Sequence, residues 1–121
     1  MPSEYSQNSG TLRQNGVVIY VGGYSGYGYA KDKPDMESIQ DMGPIPRGAW
    51  EIGTHFHHPR KGPYTMTLSP YGHDAHGRTN FLIHGENPDN IGNSSEGCII
   101  LPLPIRKRIA ASGDSSLTVV R

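Results

Sequence analysis

The chain has 121 residues, a length that suits one domain, spanning residues 1–121, around a single modest core. Its eleven lysines and arginines equal its eleven aspartates and glutamates, so no net charge attracts it to nucleic acid or to an anionic membrane. Sixteen glycines and ten prolines are too many for a helical bundle and favour short strands joined by tight turns.

The first predicted element is a β-hairpin over residues 11–21. Its centre is Asn15-Gly16, the pair that a two-residue type I′ turn prefers because both positions need positive φ. The glycine- and tyrosine-rich segment 22–29 lacks the lysine and the following helix of a phosphate-binding loop. We therefore predict a flexible loop there, with aromatic side chains lining a groove. One or two helical turns are expected over residues 34–40, because proline suits the first turn of a helix.

The rest of the chain continues the pattern of short strands and tight turns. Prolines and glycines separate apolar or alternating runs that are typical of strands. Near the C-terminus, Pro104 opens a predicted helix and Gly113 closes it. The sequence thus predicts a mainly β domain with one helix: a rigid turn at 43–48, strands at 49–52, 64–68, 81–83 and 98–101, the helix at 105–112, and a last strand at 117–120.

The chain has one cysteine and begins with a polar segment. A single cysteine excludes an intramolecular disulfide framework and a structural zinc site of the multi-cysteine kind. Residues 1–5 lack the basic and apolar regions of a secretory signal peptide, and no apolar run is as long as a membrane span. These features predict a protein made in the cytoplasm without a signal peptide.

That cysteine, Cys98, follows His84 by fourteen positions, and both residues lie at the ends of apolar runs. A thiol is a useful nucleophile only as a thiolate, and a nearby imidazole is the usual base. The apolar runs are typical of buried strands, which would hold both side chains on a rigid frame. The alternative is a buried structural cysteine. A Cys98 paired with His84 is expected to alkylate well below the free-thiol pKa of about 8.5.

The neighbours of this pair suggest supporting roles. No acid lies at a triad spacing, so the backbone carbonyl of Gly85 is the nearest candidate for orienting His84. Gly97 permits a sharp turn and leaves the N–H groups of residues 97 and 98 to face a developing oxyanion. Ser95 is expected to hydrogen-bond across the turn, with ordinary loop capping as the alternative.

Two further features have competing interpretations. Arg78 is a candidate clamp for a substrate carboxylate, and the alternative is a surface arginine. The remaining histidines suggest a zinc or copper site, although their spacing matches no defined ligand pattern and solvated loop histidines are the preferred interpretation. They form two groups, His55/His57/His58 and His73/His76.

These motifs resemble the L,D-transpeptidase (YkuD-like) superfamily, which is marked by His-Gly on a strand and by a downstream Ser/Thr-His-Gly-Cys turn. Glu96 stands where the wider superfamily has histidine, and the gap from histidine to cysteine is shorter than usual. The chain is most similar to the small type VI secretion L,D-transpeptidase effector domains. Four motifs carry this resemblance in order: Tyr-Ser-Gly at 24–26, Gly-Pro-Ile-Pro-Arg-Gly at 43–48, Gly-Arg-Thr-Asn-Phe-Leu-Ile-His-Gly at 77–85 and Ser-Glu-Gly-Cys-Ile at 95–99.

The resemblance implies a β-sandwich-like catalytic domain that acts on peptidoglycan stem tetrapeptides through a Cys98 thioester, as an L,D-carboxypeptidase, an L,D-transpeptidase exchanging D-amino acids, or both. His84 would be the base, Gly85 and Gly97 would support catalysis, and Ser95, Arg78 and Glu96 would face substrate. No cofactor or metal is expected. The implied partners are stem peptides, D-amino acids, an immunity protein and a secretion-system carrier, with delivery to the periplasm of target bacteria as an antibacterial toxin.

Two other functions remain open at the level of the sequence. One is a non-catalytic peptidoglycan-binding module that keeps the same fold and groove without the reaction. The other is a histidine-rich metal-binding protein that uses the two histidine groups.

Overall fold

The structure is a computed structural model, and it describes residues 3–92 and 94–121. The described part has one α-helix and ten strands, in a mainly β fold as predicted. The strands are β1 (Ser3–Ser6), β2 (Leu12–Gln14), β3 (Val17–Tyr20), β4 (Tyr24–Ser25), β5 (Gly48–Ile52), β6 (Phe56–His58), β7 (Gly62–Tyr71), β8 (Phe81–His84), β9 (Ile99–Ile100) and β10 (Ser116–Val120), and the helix is α1 (Leu103–Ser112).

Nine strands form one hydrogen-bonded path in the order β3-β2-β1-β10-β5-β7-β8-β9-β4, and β6 pairs with β7 beside it. Two pairings along the path are parallel, β1 with β10 and β8 with β9. A parallel pair needs a crossover connection, so the chain between β8 and β9 must leave the sheet and return. That connection joins His84 to Cys98.

The core lies around Trp50 and is built from inward-facing strand residues. The Trp50 indole Nε1 donates to the carbonyl of Pro46 at 3.0 Å, which satisfies its polar atom. Its ring packs edge-to-face on Phe81, with centroids 4.9 Å apart. Helix α1 adds Ile109 to this cluster. Among the described residues, no helix is long and apolar enough to cross a bilayer.

Local sequence signals account for several elements. The predicted hairpin is confirmed as β2–β3, with φ of +54° at Asn15 and +75° at Gly16, as a type I′ turn requires. The predicted helix is also confirmed. It begins at Leu103, slightly earlier than expected, and ends at Gly113, whose φ of +70° is the left-handed conformation that glycine adopts without strain.

Three strands were not predicted from the sequence: β1, β4 and β6. Strand β1 has a polar sequence, yet Ser3 and Tyr5 are buried because β1 lies between β2 and β10. The flexible loop predicted at 22–29 is wrong at Tyr24–Ser25, which form β4 and pair with β9. Strand β6 replaces a segment that was predicted to be an exposed loop. The partners β10 and β9 are far from β1 and β4 in the sequence, whereas β6 pairs with the adjacent strand β7.

Candidate active site

Cys98 and His84 line the same cleft, which has a volume of about 1390 Å³. Its walls come from the end of β8, the turn before β9, the β6–β7 hairpin and one residue of α1. Besides the pair itself, the lining residues with ionisable side chains are Tyr27, Asp41, His58, Arg60, Lys61, Glu86, Glu96 and Arg106.

The strand register explains why the two side chains meet. In the parallel β8–β9 pair, His84 lies opposite Ile100. Residues two apart on an extended chain point to the same face, so Cys98 projects to the same side as Ile100 and therefore as His84. The sheet thus brings a thiol and an imidazole to one face although fourteen positions separate them in the sequence.

His84 is held as a neutral base. It is only 2% exposed, and its Nδ1 lies 2.8 Å from the carbonyl oxygen of Gly85. A carbonyl only accepts, so Nδ1 carries the hydrogen and the lone pair is on Nε2. Within residues 3–92 and 94–121, Nε2 has no hydrogen-bond partner. Burial lowers the pKa of His84 to about 4, and the nearby cations of Lys61 and Arg106 act in the same direction.

Cys98 rests as a thiol, and within the described residues its Sγ is not hydrogen-bonded to Nε2 of His84. Its Sγ donates to the carbonyl of Asn80 at 3.8 Å. Burial raises the pKa of the Cys98 thiol, and the positive charges of Lys61 and Arg78 oppose this only in part. A proton transfer from Sγ to Nε2 of His84 would therefore require the two atoms to come within hydrogen-bond distance first. The low thiol pKa expected from the sequence is not supported by this resting geometry.

The turn before Cys98 is built on two buried serines. Ser95 Oγ donates to the carbonyl of Cys98 at 2.6 Å and accepts the N–H of Gly97 at 3.1 Å. It also accepts the N–H of Gly26 at 2.9 Å, so Ser95 lies beneath the turn and ties it to β4. Ser25 Oγ donates to the carbonyl of Gly97 at 3.0 Å. The N–H groups of residues 97 and 98 were both predicted to face an oxyanion. Because the Gly97 N–H donates to Ser95, the N–H of Cys98 is the remaining candidate donor.

Arg78 supports the same turn and does not line the cleft. It is 5% exposed, and a Cβ at Gly97, where φ is +138°, would lie 2.6 Å from its Nη2. The hydrogens on its two terminal nitrogens are all donated to backbone, so the geometry does not support the expected contact with a substrate carboxylate. The accepting carbonyls belong to Glu37, Gly43, Pro44 and Glu96. The Glu96 side chain, in contrast, is exposed and lines the cleft.

Glu86 closes the connection between His84 and Cys98, a role that sequence reasoning missed. Its Oε1 accepts from Ser94 Oγ at 2.7 Å and from the N–H of Gly92 at 3.1 Å. The hydroxyl of Tyr24 also donates to this oxygen, which links the connection to β4. In the sequence, the position of Glu86 directly after Gly85 is only a weak indication of this role, because the fold alone brings its hydrogen-bond partners to it.

The histidine groups are dispersed among unrelated contacts. His55 stacks on Tyr64, His73 packs on Trp50, and His76 Nε2 lies 2.8 Å from Glu37 Oε2. In the part of the chain that the structure describes, no three His, Cys, Asp or Glu side chains come together as a metal site.

Solved structures that are similar to the chain include L,D-transpeptidases and a helical cell shape determining protein. The chain is similar to L,D-transpeptidase 1 of Mycobacterium tuberculosis, with 14% identity and a TM-score of 0.57 over 99% of this chain and 61% of that one. It is also similar to the helical cell shape determining protein Pgp2 of Campylobacter jejuni, with 17% identity and a TM-score of 0.59 over 98% of this chain and 46% of that one. The L,D-transpeptidase of Mycobacterium smegmatis matches with 15% identity and a TM-score of 0.54, over 99% and 58% respectively.

These likenesses establish the fold, and the chain spans about half the length of the structures it matches, between 45% and 61%. Comparison with curated proteins gives no match. The family model described as the Tlde1 domain, by contrast, matches residues 20–119, which include every motif identified in the sequence. The chain therefore belongs to the Tlde1 domain family, the type VI secretion L,D-transpeptidase effector domains that its motifs resemble.

Proposed function

We propose that this protein is a peptidoglycan-modifying cysteine enzyme that acts on stem tetrapeptides by L,D-carboxypeptidase or D-amino-acid exchange chemistry. The observation that carries the proposal is the neutral His84 imidazole, whose Nδ1 is occupied by Gly85 and whose Nε2 is free within the described residues, in one cleft with Cys98. This arrangement suits a general base beside a nucleophile.

In the acylation step, the Cys98 thiol gives its proton to His84 Nε2 as Sγ attacks the carbonyl carbon before the terminal D-alanine. The oxyanion that forms is positioned to accept from the Cys98 N–H. When the C–N bond breaks, the proton on Nε2 passes to the leaving nitrogen, D-alanine departs as an amine, and a thioester remains on Sγ. The imidazolium formed in between keeps its hydrogen bond to Gly85.

In the second step, water or the amine of a D-amino acid attacks the thioester. His84 Nε2 takes a proton from the attacking group and returns it to Sγ as the thiol leaves. Water yields a tripeptide stem, and a D-amino acid yields an exchanged tetrapeptide. Either product removes or replaces a donor end that wall cross-linking needs, which suits an antibacterial effector delivered to the periplasm and paired with an immunity protein.

The experiment is incubation of purified protein with tetrapeptide muropeptides, with and without an added D-amino acid, followed by mass spectrometry. Tripeptide or exchanged products are expected from the wild type, and Cys98→Ala is expected to give none while its melting temperature stays close to that of the wild type. Full turnover by Cys98→Ala would exclude the mechanism.

A second candidate is a wall-binding module without catalysis, favoured by the resting direction of Cys98 towards Asn80 rather than His84. It predicts that wild type and Cys98→Ala bind sacculi equally and that neither forms product.

The effector role has a test of its own. Expression with an added periplasmic signal peptide is expected to slow growth or lyse a bacterial host, and expression of the same chain in the cytoplasm is not. Periplasmic Cys98→Ala is expected to be harmless. Equal toxicity of the two periplasmic proteins would mean that the chemistry proposed at Cys98 is not the cause.

A further inference from the structure

The cleft contains a buried arginine that has no acidic partner. Arg106 is only 7% exposed, yet it lines the same cleft as His84 and Cys98. In residues 3–92 and 94–121, it forms no ion pair with any carboxylate, whereas Arg47 and Arg121 both do. Burial lowers the pKa of Arg106, as expected for a charge removed from water without an anion beside it.

The contacts of Arg106 use one side of its guanidinium and leave the other side available. Nε donates to the carbonyl of Leu101 at 3.0 Å, and Nη1 donates to the carbonyl of Pro63 at 2.6 Å. Nη2 makes no hydrogen bond within the described part of the chain. It lies beside Gly85, where a Cβ would approach it to 2.5 Å. The two carbonyls hold the side chain rigidly, with Nη2 next to the residue that orients His84.

A buried, unpaired cation is expensive to keep, and a ligand that brings a carboxylate removes much of that penalty. The planar guanidinium also suits a carboxylate geometrically, because its N–H groups form a fork. Arg60 and Lys61 line the cleft as well, but both are exposed, so water and salt screen their charges. Arg106 is therefore the cation best placed to select a carboxylate.

The position of Arg106 indicates which carboxylate it meets. In the proposed reaction, His84 must reach the nitrogen of the leaving or attacking amino acid, because it exchanges a proton with that nitrogen. In an α-amino acid the carboxylate is attached to the carbon that carries this nitrogen, so it must lie on the histidine side of the cleft. Arg106 is on that side, against Gly85.

We propose that Arg106 binds the α-carboxylate of the D-amino acid that leaves the stem peptide or attacks the thioester. The proposal rests on the function proposed above and deepens it: Arg106 restricts the leaving group, and any amine that acts as acceptor in place of water, to α-amino carboxylates. On departure, the amine takes the proton from Nε2 of His84 while the carboxylate stays on Arg106. In exchange, the incoming amino acid occupies the same subsite in reverse, with its amine facing the thioester.

The test compares two tetrapeptides, one ending in D-alanine and the other in D-alaninamide, whose uncharged terminal amide replaces the carboxylate. For each protein, the ratio of the two kcat/KM values is measured on one preparation, so that a partly unfolded sample lowers both rates and leaves the ratio unchanged. The variant is Arg106→Gln. Its matched control is Arg108→Gln, because Arg108 lies on the same helix, is exposed and donates to Gln14 on β2.

The wild type is expected to prefer the carboxylate peptide, and Arg106→Gln is expected to reduce that preference roughly 10- to 100-fold by losing a charge-assisted pair. The loss should fall on the carboxylate peptide alone, and Arg108→Gln should keep the wild-type ratio. An unchanged ratio in Arg106→Gln, or an equal loss on both peptides, would overturn the proposal. If Arg106→Gln does not fold, Arg106→Lys is used, since it keeps the charge without the fork; a wild-type ratio there would also overturn the proposal.

A binding experiment separates this proposal from the proposed function. Calorimetry on Cys98→Ala measures the affinity for both peptides without turnover, and the Cys98→Ala/Arg106→Gln protein is its partner. If the wild type converts neither peptide but the carboxylate peptide binds in an Arg106-dependent way, the enzyme proposal fails and the subsite stands. Equal binding by both proteins would overturn the subsite alone.

Discussion

Nη2 of Arg78 occupies the space in which a side chain at residue 97 would begin. A Cβ there would lie 2.6 Å from this nitrogen, and the φ of +138° at Gly97 already disfavours any other residue. Gly97 is therefore the residue that allows the Cys98 turn to lie directly on the Arg78 guanidinium. The same principle holds on the histidine side, where Gly85 makes room for Arg106. Cys98 and His84 thus each have a neighbouring glycine that gives space to a buried arginine.

Gly97→Ala is expected to lower the free energy of unfolding by about 1–3 kcal/mol, because it adds backbone strain and a contact with Arg78. The loss of kcat should exceed what the loss of folded protein alone explains, because the turn must move Cys98 to relieve the contact with Arg78. Gly72→Ala is the matched control, because Gly72 also has positive φ, at +80°, but a Cβ there meets nothing within 4 Å. Chemical denaturation and turnover would check this. If the two substitutions had equal effects, backbone strain alone, without the contact with Arg78, would explain why residue 97 is glycine.

Arg78→Gln is expected to destabilise the protein by about 2–4 kcal/mol, because several buried carbonyls lose their donor. It should lower kcat by displacing the Cys98 turn. The preference for a carboxylate peptide should nevertheless persist, since Arg78 does not line the cleft. Comparison with Arg106→Gln by the same two-peptide ratio checks this. A lost preference in Arg78→Gln would restore Arg78 as a substrate ligand.

The thiol of Cys98 is expected to titrate above its ordinary range, because burial raises its pKa. Alkylation by iodoacetamide, followed across pH by mass spectrometry, should therefore be slow at neutral pH and increase only in alkaline solution. Unfolded protein in denaturant is the control, with a thiol pKa of about 8.5. An inflection well below that value in the folded protein would show a resting thiolate–imidazolium pair instead.

His84 makes the stability of the fold sensitive to mild acid. Burial lowers its pKa from 6.5 to about 4, so between these values the unfolded chain binds a proton that the folded chain does not. Stability is therefore fully present above pH 6.5 and falls as the pH decreases towards 4. Between pH 6.5 and 4.5 the expected loss from this residue is about 2–3 kcal/mol.

Denaturant unfolding of wild type and His84→Gln at several pH values checks this expectation. In the variant, the free energy of unfolding should change less steeply with pH, because the contribution of His84 is absent. The range stops at pH 4.5 because Glu37 contributes below it. Burial works against ionisation of Glu37, but hydrogen bonds from His76, Gln7 and Arg47 lower its pKa to about 2. Its stabilisation is therefore present above 4.5 and decreases as the pH falls further. Identical slopes for the two proteins above pH 4.5 would exclude His84 as the source.

Elements controlled by neighbouring residues could be predicted from the sequence. Asn15-Gly16 specifies the β2–β3 turn because each residue tolerates positive φ, and Gly113 ends α1 for the same reason. The pair of His84 and Cys98 was also visible, because each lies beside an apolar run that becomes a strand. These signals come from neighbouring residues, so tertiary packing did not change the turn, the helix end or the two strands that they predict.

The roles of the two arginines depend on tertiary contacts. Nothing beside Arg78 or Arg106 in the sequence tells a buried guanidinium from an exposed one, because burial and hydrogen-bond acceptors come from distant segments. The carbonyls of Gly43 and Pro44 occupy Arg78, whereas Pro63 and Leu101 hold Arg106 and leave Nη2 beside Gly85. The residue types along the chain show which groups can react, and the fold shows which cation faces the cleft, since a contact between remote segments exists only once the sheet has assembled.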